Sequence, residues 1–284
     1  MRRCDPHLHR EGGLVVGDLL RRWHRALAEQ SPAAVATVVE GSQRIGGKIL
    51  VTPEDHVGSS GNEELDRAVV EAARGMLEGG RTGTIHFGPR GQRRMEDVAV
   101  FIQSFAPPPR MYVFGAIDFA SAVARIGKFM GYRVTVCDAR PVFATRERFP
   151  TADEIVVAWP DEFLKTAPVD KRTAICVLTH DPKFDVPVLV EALKTEAGYI
   201  GAMGSRRTHN DRTARLKEEG VTEEDLSRIS SPVGLDIGAR TPEETSVAIA
   251  AEIIALRTGH SGGRLAERSG PIHATRPAAR ESAR

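Results

Sequence analysis

A chain of 284 residues that is 41% hydrophobic and 27% charged has the length and apolar content for one or two packed domains. Its formal net charge of +1 argues against nucleic acid or any other polyanion as a partner. No apolar run is long enough to span a bilayer and none follows the basic start at residues 1–10, so neither a membrane span nor a secretory leader is expected, and the expected compartment is the cytoplasm. Cys4, Cys137 and Cys176 lie far apart with no CxxC spacing. Cys137 and Cys176 fall inside predicted buried strands, which reads as core thiols in a reducing compartment, not ligands or disulfides. His7 and His9 sit near a terminus expected to fray and are read as solvated, not as a metal pair.

In chain order, residues 14–27 read as a helix with Leu19, Leu20, Trp23 and Leu27 on one face. Residues 35–39 and 48–51 read as strands flanking the glycine-rich loop 41–47. Residues 53–62 read as a loop containing Gly58, Ser59, Ser60 and Gly61. A helix over 63–77 and strands over 82–87 and 98–103 complete a small α+β domain, assigned to residues 1–106. The Pro107-Pro108-Pro109 run marks a stiff boundary.

Beyond it, strands and helices alternate, which predicts a Rossmann-like parallel sheet with helices on both faces over residues 107–257. Residues 111–114 form an apolar strand, Gly115 a tight turn, and residues 119–130 an amphipathic helix for which Gly131 is the C-cap. A second strand over 133–137 ends at Asp138, about twenty residues past the glycine turn, where an acidic residue would meet a ribose. A dinucleotide fingerprint needs G-x-G-x-x-G/A, and here it reads Gly115-Ala116-Ile117-Asp118-Phe119-Ala120. Ile117 stands where a glycine lets backbone approach a pyrophosphate, and Asp118 puts negative charge at a helix start. The plainer reading makes Gly115 a turn and Asp118 an N-cap. Residues 155–158, 173–178 and 199–200 read as further strands, and 186–193, 205–219 and 242–256 as helices. Residues 258–284 lack periodicity and are expected to be a disordered tail.

Ligands of open α/β sheets bind beyond the carboxyl ends of the strands, where three loops should gather. Gly204-Ser205-Arg206-Arg207 combines a cap, a helix N-terminus and two guanidiniums, which suits a phosphate; a capped helix with two solvated arginines fits the same residues. Thr179-His180-Asp181 could orient a ligand or move a proton, or form a hydrogen-bonded turn. His180 has no partner at metal-motif spacing, so no metal site is assigned. The third loop holds Gly234, Asp236 and Gly238 before Thr241-Pro242-Glu243-Glu244, which reads as a capping box. In the N-terminal domain, Ser42 and Arg44 in one glycine loop, Lys48 beside it, and Ser59 and Ser60 in the other form a second phosphate-friendly surface, although Gly-Ser pairs are common in plain turns.

These residues together resemble the XdhC/CoxI family, accessory proteins of molybdenum hydroxylases, over roughly residues 33–256. The resemblance rests on ATVVEGSQRIGGKILVT (36–52), VFGAIDFASAVARIGKFMGYRVTVCDAR (113–140), the stretch 152–160, LTHDPKFD (178–185), YIGAMGSRRTHNDR (199–212) and SPVGLDIGARTPEETSVAIAAEI (231–253), in shared order. It implies a small N-terminal domain followed by a Rossmann domain. It also implies binding of the molybdenum cofactor, as molybdopterin or its cytosine dinucleotide form, protection during sulfuration, and delivery to an apo molybdenum hydroxylase of xanthine dehydrogenase or carbon monoxide dehydrogenase type. The expected cofactor contacts are Gly115, Asp118, Asp138, Arg140, Thr179, His180, Asp181, Gly204, Ser205, Arg206, Arg207, Gly234, Asp236 and Gly238, with no catalytic residue assigned. A cofactor-maturation chaperone is expected before a catalyst, a cysteine desulfurase is a candidate partner, and a homo-oligomer is expected. The alternative is an NAD(P)-dependent oxidoreductase using the Rossmann-like domain. Two stretches depart from patterns common in the family. A Gly-Ser-x-Ser-Gly-Gly-Cys motif is replaced by Gly58-Ser59-Ser60-Gly61-Asn62-Glu63, without cysteine, and a Gly-x-Gly-His motif by Gly115-Ala116-Ile117-Asp118.

Overall fold

The structure is a computed structural model that describes residues 8–41, 43–92, 95–267 and 269. The chain divides into two compact units, Met1–Pro107 and Pro108–Arg284.

The first unit holds α1 (Leu8–Ala28), β1 (Ala33–Gly41), β2 (Lys48–Val51), β3 (His56–Ser59), α2 (Glu63–Glu78), β4 (Gly83–Phe87) and β5 (Val98–Phe105). Its antiparallel sheet runs β3-β2-β1-β5-β4. Period-two alternation sorts β1 between two faces. Ala34, Ala36 and Val38 pack with Leu65, Val69, Ala73 and Met76 of α2, while Ala33 packs with Leu19 and Ala26 of α1. Strand β3 occupies part of the stretch expected to be a loop, pairing His56 with Val51 and Ser59 with Lys48. It is an edge strand with one apolar residue, Val57, so it has no alternation to read. Gly58 is what lets it pair, because a Cβ there would lie 2.2 Å from the Lys48 carbonyl oxygen.

The second unit holds β6 (Arg110–Phe114), α3 (Asp118–Phe129), β7 (Arg133–Asp138), β8 (Glu154–Val157), α4 (Pro160–Thr166), β9 (Ala174–Val177), α5 (Pro182–Leu193), β10 (Tyr199–Ala202), α6 (Arg206–Glu218), α7 (Glu223–Leu226), β11 (Ile229–Ser230) and α8 (Pro242–Thr258). All strand pairs are parallel, in the order β11-β10-β9-β6-β7-β8. Counted from β6 this is the 3-2-1-4-5-6 order of a doubly wound dinucleotide-type sheet. Met111 and Val113 face a core closed by Val123, Ile249 and Ile253 of α3 and α8. Tyr112 and Phe114 face the opposite core with Leu164, Val188, Leu189 and Leu216 of α4, α5 and α6. Near-continuous apolar strands are what burial on both faces demands.

Three short elements, α4, α7 and β11, lie where the sequence shows no strong period; two of them are four residues or fewer. At the end of α3 the cap residue is Met130, and Gly131 follows it with φ +82°. The Gly131 and Tyr132 amides donate to Lys128 and Gly127 (both 3.0 Å), a Schellman closure. Within the stretch expected to be unstructured from residue 258, Thr258 ends α8 and Leu265–Glu267 form a 3-10 turn. Residues 268 and 270–284 lie outside the described residues, as do Cys4 and His7.

Candidate functional site

The order in which strands are laid down reverses between β6 and β9: β6 leads outward to β7 and β8 on one side, β9 to β10 and β11 on the other. The loops leaving these two neighbours therefore part at the carboxyl edge, where open α/β sheets take ligands. They touch at Gly115. Its φ of +96° favours glycine, and a Cβ there would lie 2.9 Å from the Thr179 amide nitrogen.

Beside this contact, Asp138 is only 3% exposed and is fully engaged. Its Oδ2 accepts from the Ala116 amide (2.7 Å) and Arg140 Nη2 (2.8 Å), and its Oδ1 from the Arg140 amide and Nε (both 2.9 Å). Burial alone would raise this carboxyl, but the bonds from Arg140 and the Ala116 amide outweigh it and hold the pKa below the ordinary aspartate value. The residue read as a ribose contact is thus a clamp that fixes Arg140 to the β6–α3 turn.

Asp118 is the first residue of α3, not its N-cap; that position is Ile117, which makes no side-chain cap bond. Asp118 is exposed and pairs with Arg148 at 3.1 Å. Thr179-His180-Asp181 adopts the hydrogen-bonded turn. Thr179 Oγ1 accepts from the Asp181 amide (3.1 Å), Asp181 caps α5 by accepting from the Lys183 amide (3.1 Å), and His180 is exposed. The Lys183 amide and side chain hold the Asp181 carboxyl below its usual range.

Ser205 caps α6, accepting from the Thr208 amide at 3.2 Å. Arg206 and Arg207 follow in the first turn, both exposed and without a hydrogen bond or ion pair among the described residues. Two residues not singled out from sequence hold this loop in place. Arg212, 4% exposed, donates through Nη2 to Asp185 (2.8 Å) and to the Met203 carbonyl (2.7 Å), and through Nη1 to Ser231 (3.2 Å). It thereby ties α5, the β10–α6 loop and the chain after β11 together. Burial pushes the Asp185 carboxyl up, opposed by Arg212. Sequence periodicity marks both as polar and carries no sign that they are buried.

In the third loop the Gly234 amide donates to Glu252 (2.9 Å), which also accepts from the Tyr199 hydroxyl (2.6 Å). Asp236 and Gly238 are exposed. The capping box forms as read, with Thr241 and Glu244 bonding each other's backbone amides.

The first unit is a separate case. Its two glycine loops meet: a Cβ on Gly47 would lie 3.1 Å from the Ser60 Cα, and one on Gly61 3.5 Å from the Arg44 Cβ. Asp66 of α2 takes the groups that looked available for phosphate, accepting from the Ser59 hydroxyl (2.6 Å), the Ser60 amide (2.7 Å) and the Ser60 hydroxyl. Lys48 donates to Thr37 at 2.9 Å. Arg44 is exposed, and Ser42 lies outside the described residues. Among the described residues no helix is long and apolar enough to cross a membrane.

A family model described as the XdhC Rossmann domain matches residues 111–253, and one described as the XdhC and CoxI family matches residues 26–88. A probable xanthine dehydrogenase subunit of Bacillus subtilis is 35% identical over 158 residues, covering 56% of this chain and 46% of that protein. The molybdenum cofactor insertion chaperone PaoD of Escherichia coli is 29% identical over 157 residues, covering 55% of this chain and 43% of that protein. The chain thus spans less than half the length of these curated relatives. The crystal structure of a xanthine dehydrogenase from Bacillus halodurans aligns with 19% identity and a TM-score of 0.49, covering 83% of this chain and 93% of that one. With one model on each unit, and the Rossmann model alone spanning half of the sequence, the chain belongs to the XdhC and CoxI family.

Proposed function

We propose that this chain binds the molybdenum cofactor, as molybdopterin or its cytosine dinucleotide form, assists its sulfuration, and hands it to an apo molybdenum hydroxylase of xanthine dehydrogenase or carbon monoxide dehydrogenase type. The observation that carries this reading is the start of α6. Its Ser205-capped N-terminus lies at the carboxyl edge of the sheet and presents Arg206 and Arg207 with no internal partner among the described residues. Free helix amides and unpaired guanidiniums suit a terminal phosphate or a diphosphate, which the cofactor carries in either form. The insertion-chaperone relative adds weight to the same reading. Gly115, Asp138 and Arg140 shape the neighbouring loop, and the exposed His180 and Asp236 border the edge. Sulfur would come from a partner such as a cysteine desulfurase, because Cys137 and Cys176 are buried and Cys4 falls in the terminus expected from the sequence to fray.

A second reading, an NAD(P)-dependent oxidoreductase, is favoured by the strand order. Against it, Asp138 spends its carboxylate on Arg140 and the Ala116 amide, and Asp118 sets negative charge at the start of α3.

The test is to mix the purified full chain with molybdenum cofactor released from a donor enzyme, separate by gel filtration, and measure molybdenum and pterin in the protein peak. Stoichiometric retention of both is expected. No retention, with stoichiometric NAD(H) binding by calorimetry, would replace this reading by the oxidoreductase.

A further inference from the structure

The loops after β7, β8 and β9 gather aromatic rings and cations at the carboxyl edge, a cluster of which the site described above uses only Arg140. Trp159 immediately precedes α4 and is 51% exposed, with its ring 5.1 Å from that of Phe184 at a 50° interplanar angle. Phe184 lies in the first turn of α5, 5.9 Å from the Arg140 guanidinium carbon and 4.8 Å from the Lys183 ammonium. Phe143 is 36% exposed and lies 4.4 Å from the same Arg140 carbon. Asp138 holds Arg140 in place through its guanidinium and its amide.

An indole left half in water forgoes much of the burial that makes tryptophan useful to a core. Phe184 packs on it and is itself buried. α5, which carries Phe184, and α6, which starts with Arg206 and Arg207, leave the neighbouring strands β9 and β10. Asp185, next to Phe184, bonds Arg212 of α6. Phe184, which backs Trp159, and the phosphate seat therefore stand at adjacent strand ends on helices joined by a buried ion pair, while Trp159 itself comes from the loop after β8 and packs on Phe184.

We propose that Trp159, backed by Phe184 and flanked by Arg140 and Lys183, is the stacking surface for the planar nitrogen heterocycle of a ligand whose phosphate meets Arg206 and Arg207. This rests on the cofactor reading above and deepens it. The heterocycle is the pterin or, in the dinucleotide form, the cytosine, since both offer a flat face to an indole and to a guanidinium.

The chain has two tryptophans, Trp23 and Trp159. Trp23→Phe in the full chain makes Trp159 the sole indole reporter. Neopterin and cytidine monophosphate are titrated against its emission, and affinities are measured by calorimetry. Saturable quenching by neopterin assigns the surface to the pterin; quenching by cytidine monophosphate alone assigns it to the cytosine. In each case Trp159→Ala weakens binding about tenfold, as loss of one stacked ring implies, and Trp159→Phe restores most of it. No quenching by either probe, or equal affinity in a folded Trp159→Ala, overturns the proposal. Retention of released molybdenum cofactor is measured beside these titrations. If the chain retains cofactor and Trp159→Ala retains it equally, the stacking surface fails and the chaperone reading stands. If the chain retains none while the probes still stack on Trp159, the chaperone reading fails and the stacking surface stands.

Discussion

At the scale of single residues, what separates a binding group from a structural one is whether its hydrogen-bonding capacity is already used. Arg206 and Arg207 have no partner among the described residues, whereas Arg140, Arg148 and Arg212 each have a carboxylate. Charge-assisted hydrogen bonds are each worth about 1.5–3 kcal/mol. Replacing Arg206 and Arg207 by Ala should thus weaken cofactor binding at least about tenfold while leaving the unfolding transition in place. Unchanged affinity in the folded double variant would remove these residues from the site. The cysteines make the opposite case. Burial pushes Cys137 and Cys176 up to about 12, so both are neutral thiols near pH 7, unsuited to carry a persulfide. A variant with Cys4→Ser, Cys137→Ala and Cys176→Ala should fold, bind cofactor and support activation of the target hydroxylase. Lost activation with folding and binding intact would show that a thiol of this chain takes part. Asp138 gives a pH signature. Its folded pKa lies below the ordinary aspartate value, so its carboxylate contributes stability that is fully present above that value and is lost as pH falls through the folded pKa. The stability difference between the native chain and Asp138→Asn, from urea midpoints, should be constant near neutrality and shrink once pH drops below about 4. A difference that does not change with pH would show that the Arg140 clamp does not depend on the carboxylate charge.

At the scale of elements, the candidate site is built from the ends of strands and helices, and close backbone approach dictates residue types there. The β6–α3 turn can lie against the β9–α5 turn because residue 115 has no side chain: a Cβ would meet the Thr179 amide nitrogen at 2.9 Å. Gly131, after α3, has a similar φ of +82° with nothing within 4 Å of a built Cβ. The pair separates conformational strain from collision. Gly131→Ala should cost about 1 kcal/mol, the backbone term alone, and Gly115→Ala distinctly more, because backbone must move. Equal losses in urea midpoints would mean that the two turns do not pack as tightly as the geometry requires. The elements also show where local pattern fails. Strand β3 is a polar edge and β11 has two residues, so neither offers the apolar run that marks β6 and β9. Asp118 looked like a cap from its place after Gly-Ala-Ile, but the chain enters α3 with Ile117 extended at φ −95° and ψ 176°, which makes Asp118 the first helical residue.

At the scale of the whole molecule, the strand order brings the glycine turn after β6, the Asp138–Arg140 clamp and the turn at Thr179 to one edge, as in dinucleotide-binding sheets. Residues at the turn argue against that ligand: Ile117 stands where a glycine would let backbone approach a pyrophosphate, and Asp118 places a carboxylate, paired with Arg148, at the start of α3. Calorimetry with NAD(H) and NADP(H) should show weak or absent binding; tight, stoichiometric binding with substrate turnover would promote the oxidoreductase reading. The sequence by itself determined the Rossmann class, the small α+β unit before the triple proline, most strands and helices, the capping box before α8 and the turn at Thr179, because each depends on spacing over a few residues. Only the tertiary structure decided which polar groups are spent: Asp138 on Ala116 and Arg140, Asp185 on Arg212, Ser59 and Ser60 on Asp66. It also decided that Trp159 and Phe184 share one edge. Apolar periodicity is a local property that folding must respect, whereas the partner of a buried charge is set by which distant segments the packed sheet brings within about 3 Å, and residue spacing carries no record of that distance.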